Sequence, residues 1–268
     1  MPTVLTIAGS DSIAGAGIQA DLKTFAALGV YGVSAVTAVT AQNTKGVGEV
    51  VALTPRTVHA QIDHVQADVD VAAVKTGMLA TGEIVRAVSD AARRFQWPYL
   101  VVDPVMAAGA AGARTLLEPD AVSIVKTHLL AVTTVVTPNV AEASVLSGLE
   151  VESLDDAREA AKRIAELGPA AVIIKGGHLP GVNAIDVLFH DGIFAELGAP
   201  RITTGRLHGT GCTFASAIAA GLALGDDIPA AVLRAKRYVT GAIEHSLAIG
   251  HGARILNHFW SSPSPRPL

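Results

Sequence analysis

The chain has 268 residues, of which 50% are hydrophobic and 16% charged, a composition that supports one large buried core. The formal net charge of −4 argues against a nucleic acid or an anionic membrane as a partner, because both attract basic surfaces. A single cysteine, Cys212, excludes an intramolecular disulfide and a cysteine-based zinc site. The amino-terminal segment lacks a basic leader, and no apolar run reaches the length of about 18 residues that spans a bilayer, so we expect a cytoplasmic protein.

Short β-branched runs alternate with longer amphipathic segments, a pattern that predicts a mostly parallel sheet covered by helices. Strands are predicted at 3–9, 33–40, 71–76, 99–103, 133–138 and 170–176, followed by a hairpin of 184–190 and 192–198 around Asp191-Gly192. Helices are predicted at 16–28, 55–66, 81–95, 119–130, 139–147, 155–167, 210–224 and 229–248. We expect one α/β domain over residues 1–260 and a disordered Pro/Ser-rich tail over 261–268.

Glycines and polar residues come directly after the predicted strands. They include Gly9, Gln42, Met78 with the glycine before it, Asp103, Asn139 and Lys175. In an open α/β sheet the carboxyl ends of the strands form the crevice that binds ligands. The sequence therefore predicts one binding site at this edge of the sheet.

The first loop, AGSDSIAGAGIQADL (8–22), partly matches the glycine pattern of dinucleotide-binding loops. The second predicted strand ends in Gln42 instead of the acidic residue that binds a ribose, which disfavours NAD as a ligand. The glycines then serve either close packing or a loop around a small ligand, with Asp21 as a polar contact. Gln42 offers the donor and acceptor that pair with an aminopyrimidine edge, but a loop that bonds its own backbone fits equally well.

Three oxygen-bearing side chains are candidates for binding a divalent cation. Asp103 follows a buried strand, and Asn139 and Glu142 lie three apart on one face of a starting helix. Mg²⁺ and its waters prefer such oxygens. Capping is the alternative: Asp103 could cap the next turn, and Asn139 with Glu142 resembles a capping box, which is the favoured interpretation of that pair alone.

Two glycine-containing turns are candidates for binding phosphate, and no Walker A loop is present. In IIKGGH (173–178), backbone N–H groups can approach a phosphate and Lys175 adds charge, although an ordinary turn is the alternative. HGTGCT (208–213) opens an apolar helix, so Gly209 and Gly211 can expose an anion hole. Cys212 lies in the first turn, where the helix dipole favours a thiolate, and a small buried hydrophobe is an equal alternative.

Several segments, in chain order, resemble the hydroxymethylpyrimidine/phosphomethylpyrimidine kinases of thiamine biosynthesis, in the ribokinase-like superfamily. They are AGSDSIAGAGIQADLKTFAALGVYG, TAVTAQNTKGV, AVKTGML, VVDPVM, TPNVAEA, KGGH, HGTGCT and GHGARILNHFW, and the likeness runs from residue 3 to about 260. The resemblance implies a ribokinase-like three-layer α/β/α sandwich and a homodimer. It also implies that ATP and Mg²⁺ support phosphorylation of 4-amino-5-hydroxymethyl-2-methylpyrimidine and then of its monophosphate.

The resemblance implies a role for each candidate residue. Gln42 would read the aminopyrimidine edge in a pocket completed by Gly9, Asp21, Met78 and Val105. Asn139 and Lys175 would contact the nucleotide phosphates. Asp103 and Glu142 would position Mg²⁺ and its waters. Gly209, Gly211 and Cys212 would form the anion hole, with Cys212 as the general base.

The chain departs from the family pattern in three segments. Ile13-Ala14 replaces a small polar residue and a glycine, AAGAAGART after DPVM lacks the usual lysine, and Gly205-Arg206-Leu207 stands where Asn-Thr is common. Arg114 or Arg206 could supply the missing charge. Two other functions stay open. Gln42 disfavours a pyridoxal/pyridoxine kinase, and the retained Mg²⁺ and phosphate residues disfavour a non-catalytic pyrimidine-binding module.

Overall fold

A computed structural model describes residues 1–107 and 116–261. The strands of its central sheet are β1 (Thr3–Asp11), β2 (Tyr31–Asn43), β3 (Gly46–Ala52), β4 (Val71–Thr76), β5 (Leu100–Val102), β6 (Val135–Val136), β7 (Ala171–Ile174), β8 (Asn183–His190) and β9 (Ile193–Pro200). Their order across the sheet is β3-β2-β1-β4-β5-β6-β7-β8-β9. Strands β1, β2 and β4 to β7 run parallel, whereas β3, β8 and β9 pair antiparallel at the two edges.

The helices are α1 (Gly17–Ala27), α2 (Pro55–Gln66), α3 (Gly82–Phe95), α4 (Ala121–Ile124), α5 (Val140–Ser147), α6 (Leu154–Ala165), α7 (Thr210–Ala223) and α8 (Ile228–Glu244). Helix α4 continues as a π-helical turn over Val125–Leu129 and a 3₁₀ turn over Leu130–Val132. A further 3₁₀ turn, Gly176–His178, follows β7, and two short strands, β10 (Leu207–His208) and β11 (Arg254–Ile255), pair in parallel beside α7. Within the described residues, no helix has the length and hydrophobicity needed to cross a membrane.

The core consists of two apolar layers, one on each face of the sheet. Leu5 and Ile7 of β1 pack into the layer beneath α2 to α6, whereas Val4 packs into the layer beneath α1, α7 and α8. Because both faces are covered, the central strands are largely apolar, and all four residues of β7 are buried. The predicted three-layer α/β/α architecture is thereby confirmed.

Most predicted elements are confirmed to within a few residues, and the differences have local causes. The hairpin turns at Asp191-Gly192, where both residues have positive φ (50° and 75°), as the predicted type of two-residue turn requires. The sequence does not predict β3, because its mostly exposed segment GVGEVVA contains two glycines and pairs with β2 at the edge of the sheet. The predictions for the tail over 261–268 and for Arg114 concern residues outside the described part of the chain, apart from Ser261.

Candidate active site

The carboxyl ends of the parallel strands open into one cleft of about 1070 Å³. Strand β1 pairs with β2 on one side and with β4 on the other, so the connections diverge around it and leave a crevice. Every predicted site residue except Asp21 lines this cleft: Gly9, Gln42, Met78, Asp103, Val105, Asn139, Glu142, Lys175, Gly209, Gly211 and Cys212. The predicted residues thus share one cleft at this edge of the sheet.

The turn that begins α7 forms part of the cleft wall. Gly209 is the N-cap residue with φ of +90°, and a Cβ at this position would lie 1.8 Å from the carbonyl oxygen of Gly15. The carbonyl oxygen of Gly209 accepts hydrogen bonds from the backbone N–H and the Oγ1 of Thr213, at 3.0 and 2.8 Å. The first N–H groups of a helix have no acceptor within the helix, so the start of α7 can bind an anion.

Lys175 and Asp103 form an ion pair beside this turn. Lys175 Nζ lies 2.7 Å from Asp103 Oδ1, and a Cβ on Gly211 would lie 3.1 Å from that nitrogen and 3.2 Å from Asp103 Oδ2. Burial alone would lower the pKa of Lys175, but the charges of Asp103 and Glu142 outweigh it and raise the pKa. Lys175 is therefore a fixed cation next to the helix terminus, as a phosphate site requires.

Asn139 and Glu142 form the predicted capping box at the start of α5. Glu142 N–H donates to Asn139 Oδ1 at 2.9 Å, and Asn139 N–H donates to Glu142 Oε2 at 2.8 Å. The backbones of Asn139 and Lys175 form an isolated parallel β-bridge just beyond β6 and β7, which places these two residues side by side. Capping thus uses one side-chain oxygen of each residue, and both residues still line the cleft.

The carboxylates of Asp103 and Glu142 fit a magnesium ion by their donor chemistry. Burial, together with the charge of Asp103, raises the pKa of Glu142 to about 7, although Lys175 opposes the shift. A buried carboxyl group whose ionisation is disfavoured by a neighbouring charge gains from a cation that both groups share, and oxygen donors suit Mg²⁺. Among the described residues no group of three His, Cys, Asp or Glu side chains could hold a metal, so water or phosphate oxygens would complete the shell.

Cys212 lies in the first turn of α7 and lines the cleft as a free, partly covered thiol. Burial raises the pKa of this thiol to about 11; Lys75 opposes the shift, and Asp21 and Asp103 add to it. The expectation that the helix terminus makes Cys212 a thiolate is therefore wrong for this structure, because the loss of hydration outweighs the nearby positive charge.

Asp21 is the predicted site residue that the structure moves away from the cleft. Its carboxylate is fully buried and accepts hydrogen bonds from Lys75 Nζ at 2.8 and 2.9 Å, Thr6 Oγ1 at 2.6 Å and Ser216 Oγ at 2.7 Å. The expected contact between Asp21 and a substrate is thus corrected: the inward face of α1 gives Asp21 no exposed surface. A lysine inside the apolar strand VAAVKT was the available signal, because a buried ammonium requires a buried partner.

Sequence reasoning missed two residues near Gln42: His208, which contacts the Gln42 amide, and Asp11, which contacts His208. Asp11, at the end of β1, accepts hydrogen bonds from His208 Nε2 at 2.8 Å and from three backbone N–H groups of the following loop. His208 Nε2 also lies 3.0 Å from the side-chain amide of Gln42. Burial would raise the pKa of Asp11, but the bonds from His208 and the backbone lower it overall. The signals were an aspartate just after a strand-end glycine and a histidine just before Gly209.

A second missed pair fixes the turn after β7. Asp186 accepts hydrogen bonds from the backbone N–H of Gly176 at 2.9 Å and from Lys236 Nζ at 2.8 Å. This pair ties the Lys175-Gly176 turn to β8 and α8. Arg206, one of the two arginines considered as a replacement charge, is exposed at the cleft.

The three-layer α/β fold brings a helix terminus, a Lys–Asp pair and a second carboxylate into one cleft, and both fold and site fit a small-molecule kinase of the ribokinase-like class, to which its structural neighbours belong. The profile of the phosphomethylpyrimidine kinase family matches residues 11–257, and the chain belongs to this family.

Curated relatives agree with the family. The chain is 47% identical to the hydroxymethylpyrimidine/phosphomethylpyrimidine kinase of Bacillus subtilis, over 95% of this chain and 94% of that protein. It is 49% identical to the Rhizobium meliloti enzyme of the same name, over 95% and 96%. A thiamine biosynthesis bifunctional protein of Geobacter sulfurreducens is 45% identical over 98% of this chain, which spans only 54% of that protein's length.

Solved structures share the fold. Pyridoxal kinase from Staphylococcus aureus, in complex with AMP-PCP and pyridoxal, superposes with a TM-score of 0.90 at 36% identity, over 98% of this chain and 96% of that chain. Phosphomethylpyrimidine kinase from Clostridium difficile superposes with a TM-score of 0.80 at 42% identity, over 91% and 100%. The fold is therefore shared by pyrimidine and pyridoxal kinases.

Proposed function

We propose that the chain transfers the γ-phosphoryl group of ATP to 4-amino-5-hydroxymethyl-2-methylpyrimidine and then to the resulting monophosphate. The observation that carries the proposal is the Lys175–Asp103 ion pair seated against Gly211 in the first turn of α7. This arrangement places a cation, a carboxylate and helix N–H groups around one point of the cleft. The names of the curated relatives support the same assignment.

The nucleotide phosphates bind where charge and N–H donors converge. Lys175 and Asn139 donate hydrogen bonds to phosphate oxygens. The backbone N–H groups of Gly211 and Cys212 donate hydrogen bonds that stabilise the negative charge developing on the transferred group. Asp103 and Glu142 would hold Mg²⁺, which when bound neutralises phosphate oxygens. Lys175 pairs with Asp103 in the structure, and the same ammonium reaches the phosphates by turning away from that carboxylate.

The pyrimidine binds across the cleft, with Gln42 on its amino edge and Gly9, Met78 and Val105 around its ring. Its hydroxyl oxygen forms a bond to the γ-phosphorus while the bond from that phosphorus to ADP breaks. The hydroxyl proton passes to the sulfur of Cys212, which must be a thiolate at that moment. Because the pKa of Cys212 is about 11, only a small fraction of thiolate exists at neutral pH.

The second phosphorylation places a different demand on Cys212. Its nucleophile is a phosphate oxygen of the monophosphate, which is already ionised at neutral pH. No proton has to leave that atom during the reaction, so Cys212 contributes no base to this step. The helix terminus and Lys175 remain necessary in both steps.

Pyridoxal phosphorylation is the second candidate function, favoured by the close superposition on the S. aureus pyridoxal kinase. Both substrates have a six-membered heteroaromatic ring with a hydroxymethyl group, so size alone does not separate them. The Gln42 amide, which offers a donor and an acceptor, favours the aminopyrimidine. A homodimer and a cytoplasmic location stay predictions from the resemblance and the composition.

The test is ATP consumption with product analysis by phosphorus NMR. Hydroxymethylpyrimidine and pyridoxine are supplied separately, each with and without Mg²⁺. We expect Mg²⁺-dependent monophosphate and then diphosphate from the pyrimidine, with slower turnover of pyridoxine. Faster turnover of pyridoxine favours the second candidate, and no turnover of either favours a non-catalytic pyrimidine-binding module.

A further inference from the structure

We propose that His208 is a positioning residue that fixes the orientation of the Gln42 side-chain amide and thereby selects which ring edges the cleft accepts. The inference rests on the proposed function and goes beyond it by deriving which end of the amide faces which ring atom. Asp11, His208, Gln42 and Thr40 all line the cleft and are joined by consecutive hydrogen bonds.

The chain of bonds begins at Asp11, whose carboxylate can only accept. It takes N–H groups from Ile13, Gly15 and Ala16 at 3.1, 3.0 and 2.8 Å, and these contacts favour its ionised form. His208 Nε2 lies 2.8 Å from Asp11 Oδ2. Because that carboxylate is an acceptor, Nε2 must carry the imidazole hydrogen.

The hydrogen on His208 Nε2 determines which end of the Gln42 amide faces it. The amide atom 3.0 Å from Nε2 must accept this hydrogen, so we assign the amide oxygen to this position and the amide nitrogen to the other. Amide oxygen and nitrogen are nearly identical in shape and are assigned from their hydrogen bonds. His208 N–H is then shared between Asp11 and Gln42.

The other end of the amide agrees with this assignment. The second amide atom lies 3.2 Å from Thr40 Oγ1, and that hydroxyl donates its own hydrogen to the carbonyl oxygen of Ser10 at 2.9 Å. Thr40 Oγ1 is therefore an acceptor on the side facing Gln42, as an NH₂ group requires. Each hydrogen bond in this series has one donor and one acceptor, from the Ser10 carbonyl at one end to the Asp11 carboxylate at the other. The Gln42 amide therefore has one orientation.

The fixed amide offers one lone pair of its oxygen and one N–H to a ligand. A 4-aminopyrimidine matches this pair, because its amine donates to the oxygen and its ring nitrogen accepts from the N–H. A 4-oxopyrimidine presents the reverse pair, an N–H beside a carbonyl oxygen. The ring N–H then faces the N–H of Gln42, and the ring carbonyl oxygen faces the amide oxygen. Neither pair can form a hydrogen bond, so the fixed amide disfavours binding of the 4-oxopyrimidine.

The structure also explains why His208 stays in place. Its backbone belongs to β10, which pairs with Ile255 of β11, and its neighbour Gly209 is the N-cap of α7. His208, which orients the Gln42 amide, is thus the residue directly before the anion-binding turn. Recognition of the ring and binding of the phosphoryl group share one rigid segment.

The test compares two substrates that differ only at one ring position: 4-amino- and 4-oxo-5-hydroxymethyl-2-methylpyrimidine. We measure kcat/KM and Kd for both with the unsubstituted chain, His208→Met and His208→Gln. Met removes the donor at similar volume, whereas Gln can place an N–H near the position of Nε2. Thermal unfolding of each variant checks that it is folded.

The unsubstituted chain is expected to prefer the 4-amino compound by at least about tenfold, because the 4-oxo edge leaves two polar pairs unmade and each unpaired polar group costs at least about fivefold. In His208→Met this preference falls by about tenfold as the amide becomes free to turn, and His208→Gln retains most of it. Equal binding of both compounds by the unsubstituted chain overturns the inference, and so does an unchanged preference in folded His208→Met. No turnover of the 4-amino compound by the unsubstituted chain instead refutes the proposed function.

Discussion

Lys175 and Asp103 form an ion pair, 2.7 Å from Nζ to Oδ1, and this pair lies against Gly211 in the first turn of α7, where a side chain would be in tight contact with both groups. A Cβ on Gly211 would lie 3.1 Å from Nζ and 3.2 Å from Asp103 Oδ2. The charge that would bind phosphate and the carboxylate that would bind Mg²⁺ are therefore positioned together against a helix terminus.

Gly211→Ala is expected to lower kcat by at least about tenfold, because shifts below an ångström in catalytic groups are costly. Its effect on the free energy of unfolding should be small, since alanine is a better helix residue than glycine by about 0.5–1 kcal/mol. Steady-state kinetics and urea unfolding measure the two effects. A variant with unchanged kcat contradicts the proposed role of the pair.

Gly209→Ala is expected to destabilise the fold and abolish activity together. The new Cβ would meet the carbonyl oxygen of Gly15 at 1.8 Å, and φ is +90°. Gly225→Ala is the matched control, because Gly225 has φ of +95° with nothing within 4 Å of a Cβ, so it isolates the backbone strain of about 1–2 kcal/mol. If urea unfolding gives the same loss for both variants, the close contact with Gly15 is not a constraint.

Lys75→Met is expected to cost about 3–5 kcal/mol of unfolding free energy, because it leaves the Asp21 carboxylate buried without a counter-ion. Both side chains of this pair have zero exposure. The double variant Lys75→Met/Asp21→Asn removes both charges and should recover a large part of the loss. Additive losses in urea unfolding would show that the two charges do not compensate each other.

His258 is expected to make the protein sensitive to acid. Burial, with a contribution from Lys23, lowers the pKa of His258 to about 4 from an ordinary value of 6.5. As the pH falls below 6.5 the unfolded chain takes up this proton and the folded chain does not, so stability declines until the pH reaches about 4. The decline amounts to about 3 kcal/mol.

The control for this prediction is His258→Gln, which has no titrating group and can still reach Thr213 Oγ1, the 3.1 Å partner of His258 Nε2. Unfolding free energies at pH 7 and pH 4.5 should fall less for the variant than for the unsubstituted chain. Parallel declines would mean that His258 is not the group responsible.

The sequence predicts the architecture because apolar runs mark the strands. It predicts the location of the site because polar residues follow those runs directly. Lys175 and Asp103 each follow an apolar run, and parallel strands bring such residues to one edge whatever their separation along the chain. The first loop predicts Asp21 in the site, but the rotation of α1 about its axis decides which of its faces is buried. Side-chain direction on a helix depends on its partners, here Lys75 and Ser216.

Two further features depend on the packed structure. The pKa of Cys212 reflects burial, which a local motif does not contain, so the helix terminus alone gave the wrong direction. The contact of His208 with Asp11 and Gln42 joins residues separated by 197 and 166 positions. No spacing rule links such residues before the sheet has formed.

The most direct measurement concerns Cys212, as proton acceptor in the first phosphorylation alone. The two steps are followed separately from pH 7 to 10, with the unsubstituted chain and with Cys212→Ala. Because the thiol has a pKa of about 11, the first-step rate of the unsubstituted chain should rise by about tenfold per pH unit while the second stays nearly flat. Cys212→Ala should lower the first step by at least about a hundredfold, remove that rise, and leave the second step within about tenfold. Equal losses in both steps, or a flat profile for the first step of the unsubstituted chain, would contradict the base role.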